Sequence, residues 1–295
     1  MSIRVATAGA GFPFAAYLDL TKPRILSLVL VTTALGFFLG DRGIHSLPLF
    51  LYTLLGTAWV VGGSAVLNHY LERDVDGAME RTRNRPLPAG LVKPSTAMSF
   101  GLCLVLGGVA VLLLGANLLT AFLALLSAFL YVVVYTPMKR LTWLNTSIGA
   151  IPGALPPVGG WTAATGQLES GALALFLILF AWQHPHFYAI AWIFREDYQR
   201  GGFKMLPVVE PEGRRTCRHI VAFSVLLIGA SALPTLLGIS GVVYLYGALL
   251  LGLGLLGAGV SLAWSRSEVH ARRLLRASVV YLPLLFVLCA VDAGF

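Results

Sequence analysis

The sequence predicts an all-α polytopic membrane protein, with about nine helices around a central cavity that opens on the cytoplasmic side. Three observations carry that prediction. Apolar runs near the length of a bilayer crossing recur from end to end. Charged residues make up only 12% of the 295-residue chain, against about 25% in soluble domains, and the mean hydropathy is +0.81. The basic residues also fall on one side once the crossings are counted.

The apolar runs cover 24–40, 47–67, 95–115, 117–136, 146–164, 171–192, 218–238, 241–263 and 276–294. Each approaches the ~20 residues that span hydrocarbon. The fifth, "TSIGAIPGALPPVGGWTAAT", holds Pro152, Pro156 and Pro157. Irregular backbone at membrane depth survives only against protein or a water-filled space. The fifth run is therefore either a cavity wall or a kinked helix buried between neighbours.

Charge placement makes it a crossing. With nine spans and the N-terminus inside, 20 of the 21 Lys and Arg lie on the cytoplasmic side, leaving Arg42 outside. Without the fifth span, Lys139 and Arg140 would face away from Arg195, Arg200 and Lys204. The positive-inside rule favours nine spans and an external C-terminus. The first residues show neither a cleavable signal nor an Arg/Ser-rich leader, which favours a bacterial inner membrane over a mitochondrial one. No repeat or linker divides the chain, so residues 1–295 read as one domain. The net charge of +8 reflects basic loops rather than nucleic-acid binding. Cys103, Cys217 and Cys289 are isolated, without a zinc or iron–sulfur spacing.

The acidic residues are less easily explained by topology. Eight of 13 fall in two cytoplasmic loops: Glu72, Asp74, Asp76 and Glu80 after the second span, and Glu196, Asp197, Glu210 and Glu212 after the sixth. If the second helix runs past the membrane, Asn68, Glu72, Asp76 and Glu80 step by four along one face. Carboxylates so spaced can hold Mg²⁺ together with a substrate phosphate. Arg81, Arg83 and Arg85 follow, with donors matched to phosphate oxygens. A solvated helix laced with ion pairs is the simpler alternative.

The stretch "NHYLERDVDGAMERTRNRPLP" resembles the first Asp-rich motif, NxxxDxxxD, of the UbiA superfamily of intramembrane prenyltransferases. "YTPMKRLTWLNTSIGAIPGALPPVGGW" and "WQHPHFYAIAWIFREDYQRGGFKMLPVV" are similar to its haem-farnesylating branch. Two departures stand out. Glu72 occupies the place of the first Asp. The second motif, DxxxD in many relatives, is incomplete, since Ile193 and Gly201 flank Asp197 at the spacing of four.

The resemblance implies transfer of farnesyl from farnesyl diphosphate to a vinyl group of haem B, with Mg²⁺ as cofactor. It makes Asn68, Glu72, Asp76 and Asp197 catalytic candidates, with Asp74 beside Asn68, Glu72 and Asp76 as a metal-site candidate. Arg81, Arg83, Arg85, Lys139 and Lys204 become diphosphate candidates, and His184, His186 and Arg195 haem contacts. His69 is a possible proton relay beside the metal motif. Tyr135, Trp161, Tyr188 and Trp192 are candidate aromatic walls for a carbocation, or members of an interfacial belt. The partners so implied are the two substrates, the bilayer, and a haem A synthase or terminal-oxidase assembly that receives the product. A quinone or a tetrapyrrole other than haem as the acceptor, and a haem or organic-anion transporter, are the rival readings. The placement of the carboxylates at one membrane face speaks against transport.

Overall fold

A polypeptide in hydrocarbon must satisfy its backbone polar groups within itself, so the apolar runs become helices. A computed structural model describes residues 14–294; the expected cytoplasmic N-terminus and missing leader lie outside the described residues. In chain order the elements are α1 (Phe14–Leu20), α2 (Pro23–Gly40), α3 (Leu47–Asp76), α4 (Pro94–Gly115), α5 (Leu118–Phe129), a π-helical turn (Leu130–Tyr135), α6 (Thr136–Leu141), α7 (Asn145–Thr165), α8 (Ser170–Ile193), α9 (Arg195–Arg200), α10 (Leu206–Val209), α11 (Arg214–Leu236), α12 (Val242–Ser265) and α13 (Glu268–Val291).

Eight helical segments among the described residues are long and apolar enough to cross a membrane, with α5, the π turn and α6 acting as one. They match eight of the nine expected spans. Their outer surface is apolar, with Leu114 86% and Trp264 91% exposed, as a lipid-facing surface requires.

The fifth expected span is α7, too rich in Pro, Gly and Thr to count by hydropathy but unbroken for 21 residues. Its depth is fixed at both ends. At its start, Asn145 Nδ2 donates to the Lys204 carbonyl at 3.0 Å, and the Lys204 N–H donates to the Lys139 carbonyl at 2.7 Å. Near its other end the Thr162 carbonyl accepts from Asn117 Nδ2 at 2.8 Å. Lys139 and Lys204 thus share one end of the bundle, as the charge argument required. Pro156 lacks an N–H and frees the Pro152 carbonyl; Ser127 Oγ donates to it at 3.1 Å. α7 is therefore a continuous helix packed between neighbours, one of which satisfies its Pro152 carbonyl.

Small residues let the helices approach. A Cβ on Gly36 would lie 2.0 Å from the Pro157 carbonyl oxygen, and one on Gly160 2.0 Å from that of Thr33, so α2 and α7 meet backbone to backbone. α3 and α4 are joined similarly, at Gly63 with Gly101 and Gly56 with Gly108.

Two boundaries depart from expectation. α3 runs past residue 67, as the motif needs, but stops at Asp76 with Gly77 as its C-cap. Glu80 therefore falls off the helix and the stripe of four shortens to Asn68, Glu72 and Asp76. α13 starts at Glu268, ahead of the apolar run at 276, where Ser267 caps it by accepting from the His270 N–H.

Candidate functional site

The last two turns of α3 turn their polar face inward. Asn68, Glu72 and Asp76 are buried, at 1%, 6% and 0% exposure. Burying such groups is costly unless each is paired, and each is. Lys22 Nζ donates to Asn68 Oδ1 at 2.7 Å. Lys139 Nζ donates to Glu72 Oε1 at 2.8 Å. Arg85 Nη1 bridges both oxygens of Asp76, at 2.9 and 2.7 Å. Removing one member of such a buried pair typically costs about 3–5 kcal/mol.

The surroundings fix this cluster. Asn68 Nδ2 donates to Thr136 Oγ1 at 3.1 Å, and Thr82 Oγ1 donates to the Asp76 carbonyl at 2.9 Å. The π turn precedes Pro137, which cannot donate in a regular helix. Thr136 Oγ1 donates there to the Tyr131 carbonyl at 2.8 Å. The Lys139 ammonium lies over the Tyr135 ring at 4.7 Å, in reach of a cation–π attraction. His69, 3% exposed, lies 4.0 Å from Asp76, and neither of its ring nitrogens finds a partner among the described residues.

Lys22 was not singled out by sequence reasoning. It is the N-cap of α2 and adopts φ 53°, ψ 62°, a left-handed conformation costing a non-glycine residue about 1–3 kcal/mol. The preceding α1 holds it there by burying Tyr17 and Leu20 against Val66, Leu87 and Val92. Burial holds its ammonium below the ordinary lysine range, and nearby Lys139 and Arg85 push the same way, against Tyr131 and Glu72. Three cations thus crowd two carboxylates, which suits an additional anion. "DLTKPR" reads as a topology signal; only the helix packing brings it to Asn68.

The other candidates are placed less centrally. Asp74 points away, 83% exposed, 3.7 Å from Arg73. Arg83 and Lys204 are exposed. Arg81 lies over Phe194 and Tyr198. Asp197, buried, accepts from the Glu80 N–H at 3.1 Å and pairs with Arg200. Those bonds hold its carboxyl below the usual aspartate range, with the Arg200 contact the largest cause. Asp197 fastens the two charged loops to each other. Beside it opens a cleft of about 460 Å³ lined by Arg81, Trp192, Arg195, Asp197, Arg200 and Arg266, among others.

The two histidines differ. His184 is fully buried with both nitrogens engaged, by Ser147 Oγ at 3.0 Å and the Phe180 carbonyl at 2.8 Å. Its ring stacks on Phe223. His186 stacks on Trp182 at 4.6 Å and bonds Ser278 Oγ through Nδ1 at 2.9 Å. Among the described residues no partner reaches its Nε2. Trp161 lies at the far end of the bundle, its indole donating to Glu169 at 2.8 Å. That position rules it out as a wall beside Asn68. Tyr188 is fully buried near His184 and His219.

The residues 29–286 match the UbiA prenyltransferase family. The chain belongs to that family. A protoheme IX farnesyltransferase of Solibacter usitatus is 48% identical over 286 residues, covering 94% of this chain and 98% of the relative. One of Salinibacter ruber is 46% identical, with the same coverage of 94% and 98%. Among solved structures, a digeranylgeranylglyceryl phosphate synthase superposes with a TM-score of 0.81 at 18% identity, covering 95% and 98% of the two chains. A UbiA homologue from Archaeoglobus fulgidus bound to GPP and Mg²⁺ gives 0.66 at 18% identity, covering 93% and 99%. In this all-helical family fold the buried α3 face sits at the charged end of the bundle.

Among the described residues no group of three His, Cys, Asp or Glu side chains forms a ready metal centre. The oxygen donors Asn68, Glu72 and Asp76 nevertheless fit Mg²⁺, which takes one or two carboxylates and completes its shell with phosphate oxygens and water.

Proposed function

We propose that this chain moves the farnesyl group of farnesyl diphosphate onto a vinyl group of haem B, giving haem O and diphosphate. One observation carries the reading: a buried oxygen-donor face, Asn68–Glu72–Asp76, ringed by Lys22, Arg85 and Lys139, in a chain nearly half identical to protoheme IX farnesyltransferases.

Asn68, Glu72 and Asp76 would hold Mg²⁺, which when bound supplies positive charge to the departing diphosphate. Arg85 and Lys139 donate to the phosphate oxygens, with Arg81, Arg83 and Lys204 around the mouth. The farnesyl C1–O bond breaks and its electron pair leaves with the diphosphate. C1 bonds to the terminal vinyl carbon. The cation left beside the porphyrin ring takes hydroxyl from water, and the released proton goes to the departed diphosphate or to solvent. Tyr135 offers its ring face to the allylic cation. The apolar slot lined by Thr57, Val60, Leu123, Ser127, Leu155 and Pro156, about 30 Å³ in volume, has to widen before an isoprenoid chain can enter it. Thr57 lies about three helical turns along α3 from Asn68, on the same face.

For the acceptor, His186 offers its free Nε2 to the porphyrin iron. Arg195 in the polar cleft offers its guanidinium to the propionates. His184, fully buried with both nitrogens engaged, braces α8 against α7 and α11 rather than binding iron. Asp197 acts by holding the loops that carry the arginines. Asp74, directed outward, is left as a metal candidate only by sequence. The chain works as a single domain in a bacterial inner membrane, with the charged end in the cytoplasm. Its product passes to a haem A synthase or an oxidase assembly.

The test is mass spectrometry of haem from membranes carrying the chain, supplied with farnesyl diphosphate and Mg²⁺. A haem heavier by one farnesyl and one hydroxyl is expected. Farnesyl on a quinone with haem untouched would move the acceptor elsewhere, and consumption of neither substrate would remove the reading.

A further inference from the structure

The three side chains placed to hold a divalent ion are already occupied. Lys22, Lys139 and Arg85 each take one of them, at 2.7–2.9 Å. The three cations come from separate segments: the turn before α2, α6, and the loop after α3. A bare divalent cation entering here must compete with all three for these oxygens, and it adds a double positive charge beside them, which Coulomb repulsion disfavours. A diphosphate changes the balance, because its oxygens accept from the same N–H groups that leave the carboxylates.

We propose that Lys22, Lys139 and Arg85 are exchangeable counter-ions. They close the α3 face to free Mg²⁺ and release it only when a diphosphate takes them, so that metal and diphosphate bind as a strongly coupled pair. This rests on the donor-substrate reading above and adds Lys22 to the functional set. The arrangement of Lys22 supports it: a residue held in a left-handed turn by a buried helix, with its ammonium on a buried amide, is built for that place. Coupling of this kind also restrains the site from gathering metal between turnovers.

Calorimetry on the purified, detergent-solubilised chain tests this, using Mg²⁺ alone, farnesyl thiodiphosphate alone, and each in the presence of the other. Each ligand is expected to tighten the other by the same factor, about tenfold or more, as linkage demands. Lys139→Met and Lys22→Met should each strengthen binding of Mg²⁺ alone and shrink that factor. Arg140→Met, which removes an equal charge next door that touches no carboxylate among the described residues, should leave both unchanged. The two lysines sit on different segments, so misfolding of one variant leaves the other to decide. Mg²⁺ binding equally well with and without the analogue would overturn the exchange. So would an Arg140→Met effect equal to that of Lys139→Met, since the cause would then be distant charge. Failure of the analogue to bind under any condition would instead strike the donor-substrate reading, and the exchange with it.

Discussion

The two charged loops look alike in composition but are built differently. The first supplies Asn68, Glu72 and Asp76 from a continuous helix, at a spacing that points all three inward and buries them. The second supplies Asp197 from the six-residue α9, where the spacing of four finds Ile193 and Gly201. Its carboxylate is spent on the Glu80 N–H and Arg200. Composition marks both loops as unusual; periodicity separates the one that buries a polar helix face from the one that makes a fastening.

If that contrast holds, the largest loss comes from the first loop. Asp76→Asn, which keeps the shape but removes the charge, should lower farnesyl transfer by about a thousandfold, on the scale of losing one strong charge stabiliser. The protein should remain in the membrane fraction, and near-normal turnover would dissolve the contrast. Arg85→Ala should cost roughly a hundredfold in kcat/KM for farnesyl diphosphate, measured by diphosphate release. His186→Ala should weaken haem binding about tenfold by absorbance titration, the loss of roughly one good contact, while His184→Ala should reduce the yield of folded protein instead.

Asp197→Asn should lower turnover about tenfold and speed proteolysis between residues 77 and 90, the effect of freeing a loop rather than removing a ligand. A loss equal to that of Asp76→Asn would place both loops in one metal site. Because the Asp197 carboxyl titrates below its unfolded value, its contribution is present above the unfolded pKa and is lost as pH falls through the lower folded one. The protection of the 77–90 segment against hydrogen exchange, taken relative to the intrinsic rate at each pH, should therefore fall on acidification, and Asp197→Asn should abolish that response. Asp74→Ala, at an exposed position, should change turnover by less than about twofold.

Much of this was legible in the sequence. Hydropathy fixes the crossings because hydrocarbon demands about 20 apolar residues, and the step of four places Asn68, Glu72 and Asp76 on one face. The charge count even rescued α7, which hydropathy alone misses. What escaped depends on packing. Lys22 is 46 residues from Asn68, and nothing local marks it apart from other lysines at a membrane end. The end of α3 at Asp76 is set by the turn from Gly77 onward, so Glu80 could not be assigned in advance. Trp161 and Tyr135 are both aromatic residues near apolar runs; only the direction of each helix puts one by the charged cluster and the other at the opposite end. The π turn before Pro137 needed the whole hydrogen-bond pattern to be seen.

The seam at Gly36 and Gly160 also limits how the bundle breathes. With main-chain oxygens where side chains would otherwise stand, α2 and α7 have no cushion between them and must travel as one plank. Any gap through which a greasy substrate slips in from the side has to open along a different joint, and a chemical staple across this one should go unnoticed by the reaction.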